Sequence, residues 1–442
     1  MQTVTKIKSF LLLVTLFISV GVLKAQNTDA LGTYTPYSLF GIGEIEKQGT
    51  SLNRGMGGIG VGVRDNRFIN YLNPAAITER DTLSFMIDFG INQKNFYNSG
   101  NKTNSDGTVN KINSAYNTFN MHNIVLTAPI YKKSALIIGI TPYSNIGYKF
   151  EATENDRALV AKYGDIKYQK YGEGSINQFF VGAAMNLFKN FSLGAEFIYY
   201  FGALDRYSNV VFTTDPSARN LETGWDYALG AVSSRIGIQY FGNVGKDLTL
   251  TAGATYRMKT NLKGDLTRFA YATSSTGVDT IKNDLNSKEK ITIPADFSVG
   301  ISIKKKDKWL FGADYMRQDW GKSTFAETSG LDFTPAAANY YKIGFEFVPN
   351  KYDIRYYMKR VTYRFGAYYE NSYIKLGNKQ VNAAGFTFGM SFPIYKWYNA
   401  LNFAVDFGQR GTMKNGMVRE RYVQFIVNIS LHDIWFKKYR YE

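Results

Sequence analysis

The chain has 442 residues, a formal charge of +16, no cysteine, 41 glycines and only 9 prolines, and 16% of it is aromatic, with 33 Tyr and 32 Phe. The lack of cysteine excludes disulfides, thiol chemistry and a lipidated cysteine. Its basic residues are spread thinly and no nucleic-acid module accompanies them, so contact with lipid phosphate is the simpler reading and nucleic acid is not an expected partner.

Lys6 and Lys8 precede an apolar run from Phe10 to Leu23, "FLLLVTLFISVGVL", and "LKA" follows. This is the layout of a secretory signal peptide over residues 1–25, with cleavage expected after Ala25. Its removal takes Lys6, Lys8 and Lys24 and lowers the formal charge from +16 to +13. No later stretch offers about 18 uninterrupted apolar residues, so helical membrane spans are excluded.

The stretch "RGMGGIGVGVRDNRFINYLNPAAI", Arg54 to Ile77, contains Gly55, Gly57 and Gly60 in the spacing G-x-G-x-x-G. A dinucleotide loop needs a buried strand before it and a helix after it, and neither flank supplies one. The glycines are better suited to close backbone packing. Residues 26–80 therefore form an N-terminal plug, and residues 81–442 form the wall.

From Thr82 onward the sequence alternates with period two. Phe386, Phe388, Met390 and Phe392 oppose Gly385, Thr387, Gly389 and Ser391, and Leu401, Phe403, Val405 and Phe407 oppose Asn402, Ala404, Asp406 and Gly408. Fourteen such runs begin near Thr82, Tyr116, Ser134, Ser175, Phe191, Ala228, Asp247, Lys290, Lys308, Ala338, Val361, Gln380, Asn399 and Glu420. They are about 11 to 14 residues long, end in Tyr and Trp, and are joined by alternately long and short connections, as in outer-membrane barrels. The expected fold is all-β, a transmembrane antiparallel barrel of about 14 strands, located in the cell outer membrane of a Gram-negative type. Short basic turns such as Lys304 to Lys306 face the periplasm, and so do both termini. So wide a lumen must be a channel or be filled, and the N-terminal segment is its filler.

The stretch "MGGIGVGVRDNRFINYLNPAAI", Met56 to Ile77, resembles the N-terminal signature of the long-chain fatty-acid transporter (FadL-type) outer-membrane proteins, in a divergent branch. The matching residues are Gly57, Gly58, Gly60, Asp65, Asn73, Pro74 and Ala75. The resemblance implies a hatch inside a 14-stranded barrel and passage of hydrophobic substrates through the lumen. Arg64 and Arg67 depart from the small residues expected between the glycines and Asn-Pro-Ala, so this hatch seals or binds differently. Asn73, Pro74 and Ala75 are expected to make the tight turn that joins hatch to wall.

Pro142 falls inside the third run, "SALIIGITPYSNIG", where it cannot donate to a sheet ladder. It marks either a lateral opening or the point where the strand rises above the membrane. The only histidines are His122 and His432, no Cys/His metal spacing occurs, and Glu196, Asp296, Glu346 and Asp406 read as solvated lumen charges. No enzyme, metal or cofactor is expected. The favoured function is passage of hydrophobic or amphipathic small molecules through a plugged lumen, with outer-membrane lipids around it. The alternative is a non-transporting barrel subunit of an outer-membrane assembly or secretion complex, partnered by other outer-membrane proteins, and a simple open porin comes third.

Overall fold

The computed structural model describes residues 31–434 except 81–83, 104–107, 132, 215–217, 275–276, 326–332, 395–398 and 415. The expected signal peptide and its cut lie outside the described residues.

The period-two segments become one closed antiparallel sheet, in which fourteen wall strands are described. They are β1 (Ser84–Thr103), β2 (Val109–Tyr131), β3 (Ser134–Asn145, continued by Tyr148–Thr153), β4 (Ile166–Phe188), β5 (Phe191–Phe212), β6 (Asn220–Asn243) and β7 (Leu248–Arg257 and Thr260–Ser274). The circuit continues with β8 (Gly277–Ile293 and Asp296–Lys305), β9 (Trp309–Asp319), β10 (Phe333–Pro335 and Ala337–Phe347), β11 (Thr362–Leu376), β12 (Lys379–Pro393), β13 (Ala400–Arg410) and β14 (Arg419–Ile434). It closes where β14 pairs with β1, from Ile434 opposite Ser84 to Arg419 opposite Ser99. Closure leaves the ladder no free edge at that seam, the condition for a sheet that crosses lipid.

The lipid-facing rows are built from large apolar side chains. Phe311, Phe345 and Phe365 lie side by side on β9, β10 and β11, and all are exposed. Inward positions such as Ser192, Glu196 and Asp406 are buried. The fold is therefore the inverse of a soluble barrel, greasy outside and polar within.

Several strands greatly exceed the expected length. β4, β5 and β6 have 23, 22 and 24 residues. The surplus lies at the long-loop end, where both faces meet water and alternation is lost, so much of what reads as loop is paired strand. The outer connection between β11 and β12 shrinks accordingly to Gly377 and Asn378.

Residues 31–80 lie inside the barrel with four short elements: a 3-10 turn (Pro36–Leu39), a two-residue strand (Glu44–Ile45), helix α1 (Ser51–Gly55) and a 3-10 turn (Pro74–Thr78). The expectation that both termini face the periplasm lies outside the described residues, which begin at Leu31 and end at Ile434. Tyr37 donates its hydroxyl to Val418 O in the outer β13–β14 connection, so the first described residues sit toward the outer end. The chain then descends, and Lys304, beside the short β8–β9 turn, reaches Asp65.

Candidate functional site: the hatch seat and a gap in the wall

Gly57 adopts φ +69°, in the left-handed region, where a side chain would be strained. It also lies so close to β11 that a Cβ on Gly366 would come 2.0 Å from Gly57 N. Two glycine backbones thus face each other across the hatch–wall boundary, and the wall glycine matters as much as the hatch one. Gly58 shares the left-handed turn. Gly60 N and Val61 N both donate to Asp314 Oδ2 on β9, at 2.6 and 2.8 Å.

Asp65 takes Lys304 Nζ at 2.7 Å and Arg67 Nη2 at 2.6 Å. Burial alone would raise its carboxyl, but Arg67 and Lys304 override that and hold it well below the usual carboxylate range. Asn73 Oδ1 accepts from Ala75 N at 3.0 Å, and its Nδ2 donates to Val61 O at 2.9 Å and Ile238 O at 3.1 Å. Pro74 opens the 3-10 turn that follows, and Ala75 is wholly buried. The seven signature residues therefore occupy one continuous seat along β5–β9 and β11.

The four inward carboxylates are paired and not solvated, because they meet arginines. Arg67 reaches Glu346, which also takes Arg364 Nε at 2.8 Å. Arg54 Nη2 donates to Asp406 Oδ2 at 2.7 Å, Arg235 lies 3.4 Å from Glu196, and Arg257 lies 2.5 Å from Asp296. Arg64 pairs with Glu79 at 2.8 Å. Two of these pairs, from Arg54 and Arg67, bolt hatch to wall. Nearer the outer end, Glu44 receives Lys94 at 2.5 Å and Arg410 at 2.9 Å. His122 Nε2 lies 2.7 Å from Gly49 O, a structural contact.

Pro142 sits where the wall changes partners. The β2–β3 ladder runs from Tyr131 opposite Ser134 to Ile124 opposite Ile140 and stops there. On its other edge β3 keeps β4, with a bulge between Pro142 and Ser144. Beyond the proline, Ser144 and Asn145 pair with Ile45 and Glu44 of the hatch. The missing donor and the bulge turn β3 inward, away from β2.

Hatch residues fill the resulting gap. Asn120 of β2 donates to Gly32 O at 2.7 Å, Tyr34 stacks on Tyr116 at 4.8 Å between ring centroids, and Ser38 Oγ donates to Gly147 O at 3.0 Å. Asn177, opposite Pro142, in turn faces Phe201 on β5, level with the aromatic Tyr199–Phe179 pair. Inside, a cavity of about 130 Å³ mixes tyrosines (Tyr143, Tyr340, Tyr368) with charges (Lys47, Arg257, Lys342). Burial pushes the Lys47 ammonium down to about 8, although Asp406 works the other way.

This architecture is similar to that of several solved proteins. The Ralstonia pickettii toluene transporter TbuX matches at 17% identity over 87% of this chain and 98% of its own, with a TM-score of 0.54. A Pseudomonas aeruginosa FadL homologue matches at 13% identity over 90% of this chain and 100% of its own, with a TM-score of 0.56. The Pseudomonas putida toluene transporter TodX matches at 16% identity over 89% and 100%, with a TM-score of 0.56. At such identities the likeness shows the fold. No curated protein sequence matches the chain. The BamG family model matches residues 6–442, and the chain, an outer-membrane β-barrel of FadL-type fold, belongs to the BamG family.

Proposed function

We propose that the barrel admits hydrophobic or amphipathic small molecules to a hatch-closed lumen and exchanges them with the membrane through the gap beside Pro142. The observation that carries this reading is the change of partner along β3: beyond Ile140 its neighbour is the hatch and not β2. A wall segment made of hatch can open without breaking the rest of the ladder, and the aromatic lining suits an amphipathic guest.

The chain has no cysteine, so a single engineered pair is a clean test. With Gly32→Cys and Asn145→Cys, where the new Cβ would stand 3.5 Å from that of Asn145, oxidation should fasten the hatch to β3 beyond Pro142, abolish cellular uptake of a hydrophobic fluorescent dye, and be reversed by reductant. Uptake that ignores the cross-link would remove the gap as a route.

One observation favours a second reading, a non-transporting barrel that serves as a subunit of a larger outer-membrane assembly. Buried ion pairs at Asp406, Glu346 and Glu44 fix the hatch at several heights, which suits a permanent filler. Purification in gentle detergent separates the two: a stoichiometric protein partner supports the subunit role, and a lone barrel with bound lipid supports passage.

A further inference from the structure

The connection between β10 and β11, residues 348–361, is unlike the other short-end turns. It spans fourteen residues, whereas β4 and β5 are joined by Lys189 and Asn190 alone. It is nevertheless internally ordered. Asn350 N donates to Lys359 O at 2.8 Å and closes the loop, and Asp353 Oδ1 accepts from Arg355 N at 3.0 Å and Tyr356 N at 2.6 Å. Tyr357 OH donates to Pro393 O at 2.8 Å, fastening the loop to the end of β12.

Its position relative to the membrane follows from Tyr363. That residue is paired with Phe347, which in turn faces Trp309, so the three form an aromatic row on the lipid-facing side at the short-turn end. Such a row marks the inner-leaflet interface. The Tyr363 hydroxyl donates to Met358 O at 3.2 Å, so the loop hangs from the lipid side of the rim and not under the lumen.

At that level the loop presents apolar tips and cations together. Ile354 is 99% exposed, and Tyr356, Tyr357 and Met358 are exposed beside it. Arg355 and Lys359 both lie over the Tyr356 ring, at 5.2 and 4.7 Å, and Arg360 lies over Tyr357 at 4.9 Å. Asp353 meets Lys359 at 3.4 Å, while Arg355 and Arg360 have no carboxylate partner among the described residues. Two cations gathered on one ring, with apolar side chains projecting past them, make a ready-made seat for a phosphate attached to an acyl chain.

We infer that this loop is a phospholipid-binding site, in which Arg355, Lys359 and Arg360 hold the phosphate of an anionic inner-leaflet lipid and Ile354 and Met358 enter its acyl region. The site is independent of what crosses the lumen. A basic residue near an anionic surface contributes roughly 1 kcal/mol, about fivefold in retention.

The full-length protein in detergent should, by native mass spectrometry, keep phosphatidylglycerol in preference to phosphatidylcholine of the same chain length. Arg355→Gln with Arg360→Gln should remove most of that preference, Arg355→Lys with Arg360→Lys should retain most of it, and Ile354→Ser should weaken retention of both lipids. Ile354 and Arg355 are exposed and Arg360 is half-buried on the loop outside the ladder, so all variants should keep the heat-modifiable gel shift of a folded barrel. Equal retention of the two lipids by the unaltered protein, or undiminished preference in the Gln variant, overturns the inference. So does loss of a stoichiometric protein partner from the Gln variant with lipid retention unchanged, which would assign the loop to a protein.

Discussion

Arg54 of the hatch and Asp406 of β13 meet at 2.7 Å with side chains only 4% and 2% exposed. Lys47 joins the same carboxylate at 3.3 Å, and Tyr368 donates to its other oxygen at 2.6 Å. Asp406→Ala would therefore leave two cations and a hydroxyl without their shared acceptor. Removing one partner of a buried pair costs about 3–5 kcal/mol. The hatch should become protease-sensitive in the folded barrel. Replacing both residues with apolar ones, Arg54→Met with Asp406→Leu, should cost distinctly less, and equal sensitivity of the single and double variants would contradict the account.

Gly366 tests the steric side of the same seat. A Cβ there would press on Gly57 N at 2.0 Å, against backbone that cannot yield as a side chain tip can. Overpacking of this kind costs about 1–3 kcal/mol or more. Gly366→Val should displace the hatch and raise single-channel conductance in planar bilayers, as should deletion of Asn27 to Thr78. If either protein conducts like the unaltered one, the hatch does not close the lumen.

Lys47 predicts a pH dependence. The unfolded chain holds this proton up to about the ordinary value of 10.5, whereas the folded lumen releases it near 8. Between these values the unfolded state binds more protons, so the lysine's contribution makes stability rise with pH across that window, by up to about 3 kcal/mol. The cost of holding the charge is fully present below pH 8. Lys47→Met should flatten the rise when hatch protease resistance is measured from pH 7 to 10. A rise that survives the substitution belongs to another group.

Asn73→Ala should remove three hydrogen bonds, to Ala75 N, Val61 O and Ile238 O. Val61 O keeps Gln239 as a donor at 3.0 Å, so the loss concentrates at the turn itself. A buried group left unsatisfied costs about 1–3 kcal/mol. Limited proteolysis should then cut between hatch and wall while the barrel's gel mobility is unchanged, and an uncut turn would mean that Asn73 is dispensable.

The wall was readable because lipid imposes an alternation that water on one side and lipid on the other maintain along each crossing. The run expected near Phe191 begins β5, and that near Ser134 begins β3. The runs expected near Tyr116 and Ala228 begin late, since β2 starts at Val109 and β6 at Asn220, where Lys111 or Glu222 and its neighbours see water on both faces. Arg64 and Arg67 stood out in the sequence as departures, and Glu346 and Asp406 as inward acids. What the sequence did not supply was the pairing of Arg67 with Glu346 across 279 positions and of Arg54 with Asp406 across 352. An excess of inward carboxylates facing a hatch with surplus arginines was the available signal. The filling of the Pro142 gap was not legible, because residues 31–40 carry no pattern beyond turn-forming Gly, Thr and Pro.

The amide of Ser51, in the hatch helix, donates to Asn428 Oδ1 on the last strand, and Asn428 also hydrogen-bonds Asp88 on the first. The hatch thus holds both sides of the seam at which the cylinder closes, 377 positions along the chain from its own helix. One asparagine therefore ties plug and closure together: a side chain lost at Asn428 would slacken the seam and the hatch helix at once.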